Sequence, residues 1–436
     1  MKLDRLTIIR PNMGAYRSLD SMVPLAVGIL AARTPEDIEV TFYDERVEAV
    51  PDDDFPDLLA LTVETFTARR AYAIAEKYRK AGITVVMGGY HPTFLPHEAL
   101  RHADAVILGD AEGVWERLLD DFRQGRLQRT YAGGNERVLD DMITDRTIFK
   151  GRKYASIEPV QYSRGCRFHC EFCSINAFYH GVVRHRSIES METEFDQLDL
   201  SKLVFFVDDN LFGSPSELER LLDFLKPLKI RWCCQISLDI AKYPRLIDRL
   251  AASGCVLVTI GFESLSTTNL AEMNKAWNLG SGLYHEVVRQ FHDRGIAVYG
   301  TFVFGYDEDR VDSIYGTLDF AMNARLEIAN FNMLTPTPGT AIYRRLEQER
   351  RLLIPEWWLH PDYRYGDPIF LPKLMSPEEL SASCYDAKKT FYSWGSIFNR
   401  LFASPNSFDL FRTGMIAMAN VISRKEILHK QRRLLG

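Results

Sequence analysis

Three cysteines dominate the chemistry legible in this chain. They stand in Arg164-Gly165-Cys166-Arg167-Phe168-His169-Cys170-Glu171-Phe172-Cys173, a Cys-x3-Cys-x2-Cys array on one short stretch. Three thiolates so spaced suit three irons of a [4Fe–4S] cluster, whose fourth iron is then open to a small molecule. A zinc site is the alternative; it wants four ligands, and His169 or His180 would have to complete it. Downstream, polar groups close successive apolar runs, Asp208-Asp209-Asn210, Gln235 and Glu263, and a glycine, Gly305, closes a further one. A carboxylate at such an end accepts hydrogen bonds from an ammonium or a hydroxyl; its plainer role is a helix N-cap. Of the other cysteines, Cys233 and Cys234 are adjacent and face opposite sides of a strand. Together with Cys255 they read as small buried hydrophobes; Cys384 falls on a helical stretch with no partner nearby in sequence.

Composition bounds what such a site serves. Of 436 residues, 46% are apolar and 26% charged, ordinary for a soluble globular protein. Lys plus Arg is 53 against 59 for Asp plus Glu, a net charge of −6. That balance excludes a protein whose main task is gripping nucleic acid, which needs a cationic excess. No apolar run reaches the roughly 18 residues of a membrane span. The opening MKLDRLTIIRPNMG reads as a first strand and not as a signal peptide, which points to a cytoplasmic location. There thiols stay reduced, so closely spaced cysteines favour metal chemistry over disulfides.

The elements that must carry these residues alternate. Leu6–Arg10, Ile38–Tyr43, Leu58–Thr62, Ile83–Met87 and Ala105–Leu108 are strand-like, with amphipathic stretches such as Ala68–Lys80 between them. This pattern predicts a doubly wound α/β domain over residues 1–125. Gly88-Gly89 and the segment Gly109-Asp110-Ala111-Glu112-Gly113 follow its last two strands, where such sheets bind ligands. A polar linker is expected over 126–158. Strands Pro159–Tyr162, Leu203–Val207, Trp232–Ile236, Val256–Phe262, Ala297–Phe304 and Ile328–Leu334 then predict a partial (β/α)6 barrel over 159–340. Residues 341–436 read as a helical C-terminal domain, with a tail helix Phe411–Gln431 packed on the barrel.

With an aromatic, Phe172, before its last cysteine, the array resembles that of the radical S-adenosylmethionine (SAM) superfamily. The resemblance implies that SAM chelates the open iron, and that reduction of the cluster cleaves the sulfonium to a 5′-deoxyadenosyl radical. A small electron donor such as flavodoxin or ferredoxin would supply the electron. It also implies SAM contacts: Asp208, Asp209 and Asn210 at the amino group, Glu263 at the ribose, Gly305 along the adenine. Arg186 would meet the carboxylate. Gln235 and Ser237 on the third strand are expected to face inward, as SAM or substrate contacts or as barrel filling. For Cys233, Cys234 and Cys255 the alternative to plain packing is a soft acceptor site or a thiol acting on the substrate radical. The first 125 residues resemble the cobalamin (B12)-binding domain of one branch of that superfamily, on Gly88-Gly89-Tyr90-His91-Pro92-Thr93 and Leu108–Gly113. This implies cobalamin held near Gly88, Gly89, Gly109 and Glu112, with His91 as a loop contact. Many such domains ligate cobalt through Asp-x-His-x-x-Gly; the loop Pro11–Tyr16 here has no histidine, so the lower face of cobalt would lack a protein ligand. The branch implies methyl transfer to an unactivated carbon or phosphorus of a small metabolite, lipid or natural-product precursor. The alternatives are radical chemistry without cobalt, with the first domain as a lid, and a cluster-bearing protein without turnover.

Overall fold

The computed structural model describes residues 2–14, 16–134, 139–140, 142–281, 283–403 and 410–430. Its first sheet contains β1 (Arg5–Arg10), β2 (Glu39–Asp44), β3 (Leu58–Thr62), β4 (Thr84–Gly88), β5 (Ala105–Leu108) and β6 (Thr130–Ala132). Their order is β2-β1-β3-β4-β5-β6, and every pairing is parallel. Leu58, Leu59, Ala60 and Leu61 are all buried, as befits a central strand covered on both faces. The chain leaves β1 in opposite directions for β2 and β3, and that switch point is where open sheets take ligands.

Five of the six strands fall where the apolar runs placed them. The sixth lies inside the stretch expected to be a linker; three residues are too few to show alternation. Residues 135–138 and 141 of that stretch lie outside the described residues, as does Gln431 at the end of the tail helix.

A second parallel sheet follows, with β7 (Ile157–Val160), β10 (Leu203–Phe206), β11 (Trp232–Gln235), β12 (Cys255–Glu263), β13 (Ala297–Phe304) and β14 (Ile328–Met333) in sequential order. These are the six strands of the partial barrel. Between β7 and β10 a short antiparallel ribbon, β8 (Ser163–Arg164) and β9 (Arg184–His185), pins both ends of the cysteine loop. Buried phenylalanines run across neighbouring strands: Phe262 stacks on Phe302 and Phe302 on Phe331, each pair with centroids 5.7 Å apart. Such offset rings bury large apolar area and fix the strand register.

The C-terminal part is mainly helical. Helix Pro377–Phe391 opens with a capping box between Ser376 and Glu379. It docks on β14, where Phe391 meets Phe331 at 5.7 Å. The tail helix Leu410–Lys430 packs as expected, Asn420 donating to the Glu327 carbonyl at 3.1 Å. Among the described residues no helix is long and apolar enough to cross a membrane.

Candidate functional site

The cysteine loop is held from below by the acidic segment that follows β10. Asp208 is buried and accepts from the backbone N–H groups of Tyr162, at 3.1 Å, and Ser163, and from the Ser163 hydroxyl at 2.6 Å. Burial pushes its carboxyl up to about 7. Asp209 accepts from the Gly165 N–H at 2.8 Å. Gly165 has φ +88°, and a Cβ there would lie 1.9 Å from the Val182 carbonyl, so only glycine closes the loop against its own return. Asn210 aims its amide at the Cys166 sulfur, 3.7 Å away, while its Oδ1 accepts from the Ser237 N–H at 2.9 Å. Two of these three residues therefore shape the loop, and the third reaches a sulfur.

Cys166, Cys170 and Cys173 are free thiols. Among the described residues no three His, Cys, Asp or Glu side chains converge tightly enough for a single metal ion. Zinc would draw its ligands to within about 2.3 Å of one point; a cubane cluster spreads its thiolates over separate irons. The donor set fits the cluster. Burial pushes the Cys170 thiol up to about 12, and the first influence against it is the ammonium of Lys275. That ammonium is buried, 2.8 Å from Glu263 Oε1 and 2.9 Å from the Gly261 carbonyl. Glu263 sits at a register shift between β12 and β13 with φ +64°, a left-handed conformation that the bulge imposes. Lys275 was not among the residues the sequence singled out; it reaches the cysteines only through the return of the chain after helix Thr267–Glu272.

The other expected SAM contacts divide. Gln235 is exposed at the barrel mouth and donates to the Asp209 carbonyl at 2.9 Å. Phe172 is half-buried and lines a cavity at the same end of the barrel. Gly305, with φ +110°, serves packing: a Cβ would lie 2.5 Å from the Phe370 ring. Arg186 requires a correction. It is buried, ion-paired to Glu194, and donates also to Ser190 Oγ at 2.9 and 3.0 Å and to the carbonyls of Gln161 and Ser190. Its guanidinium is spent inside the fold and has no donor left for a SAM carboxylate.

A cavity of about 310 Å³ lies where the carboxyl ends of the two sheets face each other. On one side are Thr62, Gly88, Gly89 and Gly109; on the other are Arg164, Tyr179 and Val207. A Cβ on Gly88 would meet nothing closer than Ile107, at 3.7 Å, so this glycine leaves backbone bare toward open space. Glu112 lines the cavity and pairs with Arg164 at 2.6 Å, while Asp110 binds Arg164 at 3.2 Å and Arg184 at 2.6 Å. Both ends of the cysteine loop are thereby clasped to the loop after β5. The glycine-lined cradle and its apolar walls fit a bulky, flat cofactor.

His91 is the second correction. It is fully buried, with Nε2 at 2.9 Å from the Tyr72 hydroxyl and 3.0 Å from Glu98 Oε1, and it does not line that cavity. Trp358, from the C-terminal part, donates to both Glu98 oxygens at 3.1 and 3.2 Å. His91 belongs to a tie between the first domain and the C-terminal segment.

Comparison with known proteins matches this geometry. Residues 160–321 match the radical SAM superfamily and residues 21–119 the B12 binding domain. The chain is 32% identical over 413 residues to bacteriochlorophyllide d C-12(1)-methyltransferase of Chlorobaculum tepidum, covering 91% of this chain and 89% of that protein. It is 28% identical to bacteriochlorophyllide d C-8(2)-methyltransferase of the same organism, over 76% of this chain and 78% of that one. The fold is shared with the cobalamin-dependent S-adenosylmethionine radical enzyme OxsB, solved with aqua-cobalamin and S-adenosylmethionine bound. That match has TM-score 0.66 and 15% identity and covers all of this chain and 76% of that one.

Proposed function

The chain belongs to the cobalamin-dependent radical SAM methyltransferases, and on that premise we propose that it methylates a carbon of a ring-bearing, largely apolar small molecule of the tetrapyrrole kind. The observation that carries the reading is the cavity shared by the two sheet ends, which brings the bare backbone of Gly88 and the loop at Gly109 opposite the flanks of the cysteine loop. The names of two relatives supply the substrate class. When bound, the cluster with SAM supplies reductive cleavage to a carbon radical, and cobalamin supplies the carrier for the methyl group.

The protein's own groups position and shield. Cys166, Cys170 and Cys173 hold the cluster. Asp209 commits Oδ2 to the loop and offers Oδ1 to the SAM ammonium, beside the Gln235 amide. Lys275 takes the SAM carboxylate in place of Arg186, which releases Glu263 toward the ribose. Gly88, Gly89, Gly109 and Glu112 line the cobalamin cradle. Phe168, stacked on Trp277 at 3.6 Å, seals one side of the loop against water. Electrons come from a small donor of the flavodoxin or ferredoxin class.

The test is anaerobic turnover of the reconstituted enzyme with cobalamin, reduced flavodoxin, bacteriochlorophyllide d and SAM bearing a trideuterated methyl group. One labelled methyl should enter the pigment, with S-adenosylhomocysteine and 5′-deoxyadenosine formed together. Formation of 5′-deoxyadenosine with no S-adenosylhomocysteine would instead favour radical chemistry without cobalt.

A further inference from the structure

Two cavities beyond the cobalamin cradle meet at Phe66 and Tyr365. The outer one, about 640 Å³, lies over the loop after β1 and is walled by Met13, Tyr16 and Arg69 among others. The inner one, about 330 Å³, lies between Phe172 of the cysteine loop, Asn330 and Asn332 of β14, Tyr363, and helix Pro377–Phe391. Phe66 and Tyr365 line both, with ring centroids 6.0 Å apart, and form the partition between them. Since Phe172 precedes a cluster ligand, the inner cavity borders the chemistry.

One charge in the inner cavity is unbalanced. Lys388 lines it, half-buried, and among the described residues its ammonium has no ion pair. No carboxylate lines this cavity. Lys388 stands one turn after the buried Cys384 on the same face of helix Pro377–Phe391, and both residues line the cavity. Two other polar groups of the wall are already paired. Asn330 donates to the Tyr299 hydroxyl at 2.5 Å, and Ser381 donates to the Gly366 carbonyl at 2.6 Å. An anionic group entering this aromatic pocket meets in Lys388 a cation with no carboxylate of the wall competing for it.

We propose that Lys388 seats an anionic substituent of the substrate in the inner cavity, with the apolar body of the molecule passing Phe66 and Tyr365 into the outer one. This rests on the methyltransferase reading and narrows its substrates to apolar molecules carrying an anionic group.

The experiment uses the enzyme loaded with iron and cobalamin, so that the cofactor cavity is filled. Two dyes of similar body are titrated: anilinonaphthalene sulfonate, which is anionic, and phenylnaphthylamine, which is neutral. Lys388→Met should weaken the sulfonate by about tenfold or more, the worth of one charge-assisted contact, and leave the neutral dye unchanged. Lys388→Arg should keep the sulfonate affinity within about threefold, since it keeps the charge. Asn332→Phe should abolish binding of both dyes by filling the cavity. Iron, cobalamin and SAM cleavage, measured in the two Lys388 variants, report on the methyltransferase reading and should match the parent chain. Equal sulfonate affinity in Lys388→Met, or dye binding indifferent to Asn332→Phe, overturns the assignment.

Discussion

Lys275 and Arg186 show how differently two cations near one motif are used. Arg186 follows the cysteine loop in sequence, yet Glu194, Ser190 and two carbonyls consume its donors. Lys275 lies a hundred residues on and is the buried ammonium that opposes the cost of charge at Cys170. Lys275→Met should weaken SAM binding by roughly 1.5–3 kcal/mol, the range for hydrogen bonds to charged groups. Equilibrium binding to the reconstituted enzyme measures it, and Arg186→Lys should leave that affinity unchanged while lowering thermal stability. Replacing Cys166, Cys170 and Cys173 together by alanine should remove the broad brown absorbance and SAM cleavage at once. The cysteine array was legible because its spacing along the chain is its spacing in the loop. The cation was not, since a sequence does not say which side chains are already satisfied; His91 was misread for the same reason.

Strands were legible as elements wherever burial left a mainly apolar run, as in Leu58–Thr62 and Ala297–Phe304, both found at the bounds expected. Thr130–Ala132 escaped because three edge residues carry no period. Contacts between elements were the least legible, and the tie through Glu98 is the example. Burial alone would raise its pKa, but hydrogen bonds from His91, Tyr72 and Trp358 outweigh it and hold it below the usual carboxylate range. A depressed folded pKa gives stability that is fully present above the unfolded value of 4.5 and lost as pH falls through the folded one. Glu98→Gln should therefore lower the anaerobic melting temperature at pH 7, and the gap between variant and parent should narrow below pH 4.5. A gap independent of pH would remove the ionised carboxylate from the tie.

The molecule as a whole is two parallel sheets turned carboxyl end to carboxyl end, joined by the clasp of Arg164 and Arg184 on Asp110 and by Trp358 on Glu98. Truncating one partner of a buried ion pair strands the other, at a cost of about 3–5 kcal/mol. Asp110→Ala should accordingly loosen the two domains and lower cobalamin affinity, read by equilibrium dialysis against the unchanged iron content. The doubly wound and barrel halves were readable separately from their strand patterns. Their juxtaposition was not, because Arg184 carries no motif and nothing in the segment Gly109–Gly113 says which cation Asp110 meets.

That juxtaposition is also the central claim: one cavity between the sheets holds cobalamin beside the cluster. Its most direct test is cobalamin and iron content of the reconstituted enzyme and of Gly88→Leu. Leucine at this position points its side chain into the cradle, where a Cβ otherwise meets only Ile107 at 3.7 Å. The parent chain should take up cobalamin with no histidine nitrogen on cobalt, and Gly88→Leu should lose most of it while keeping its iron and its SAM cleavage. Full cobalamin uptake by Gly88→Leu, or none by the parent chain, would contradict the account.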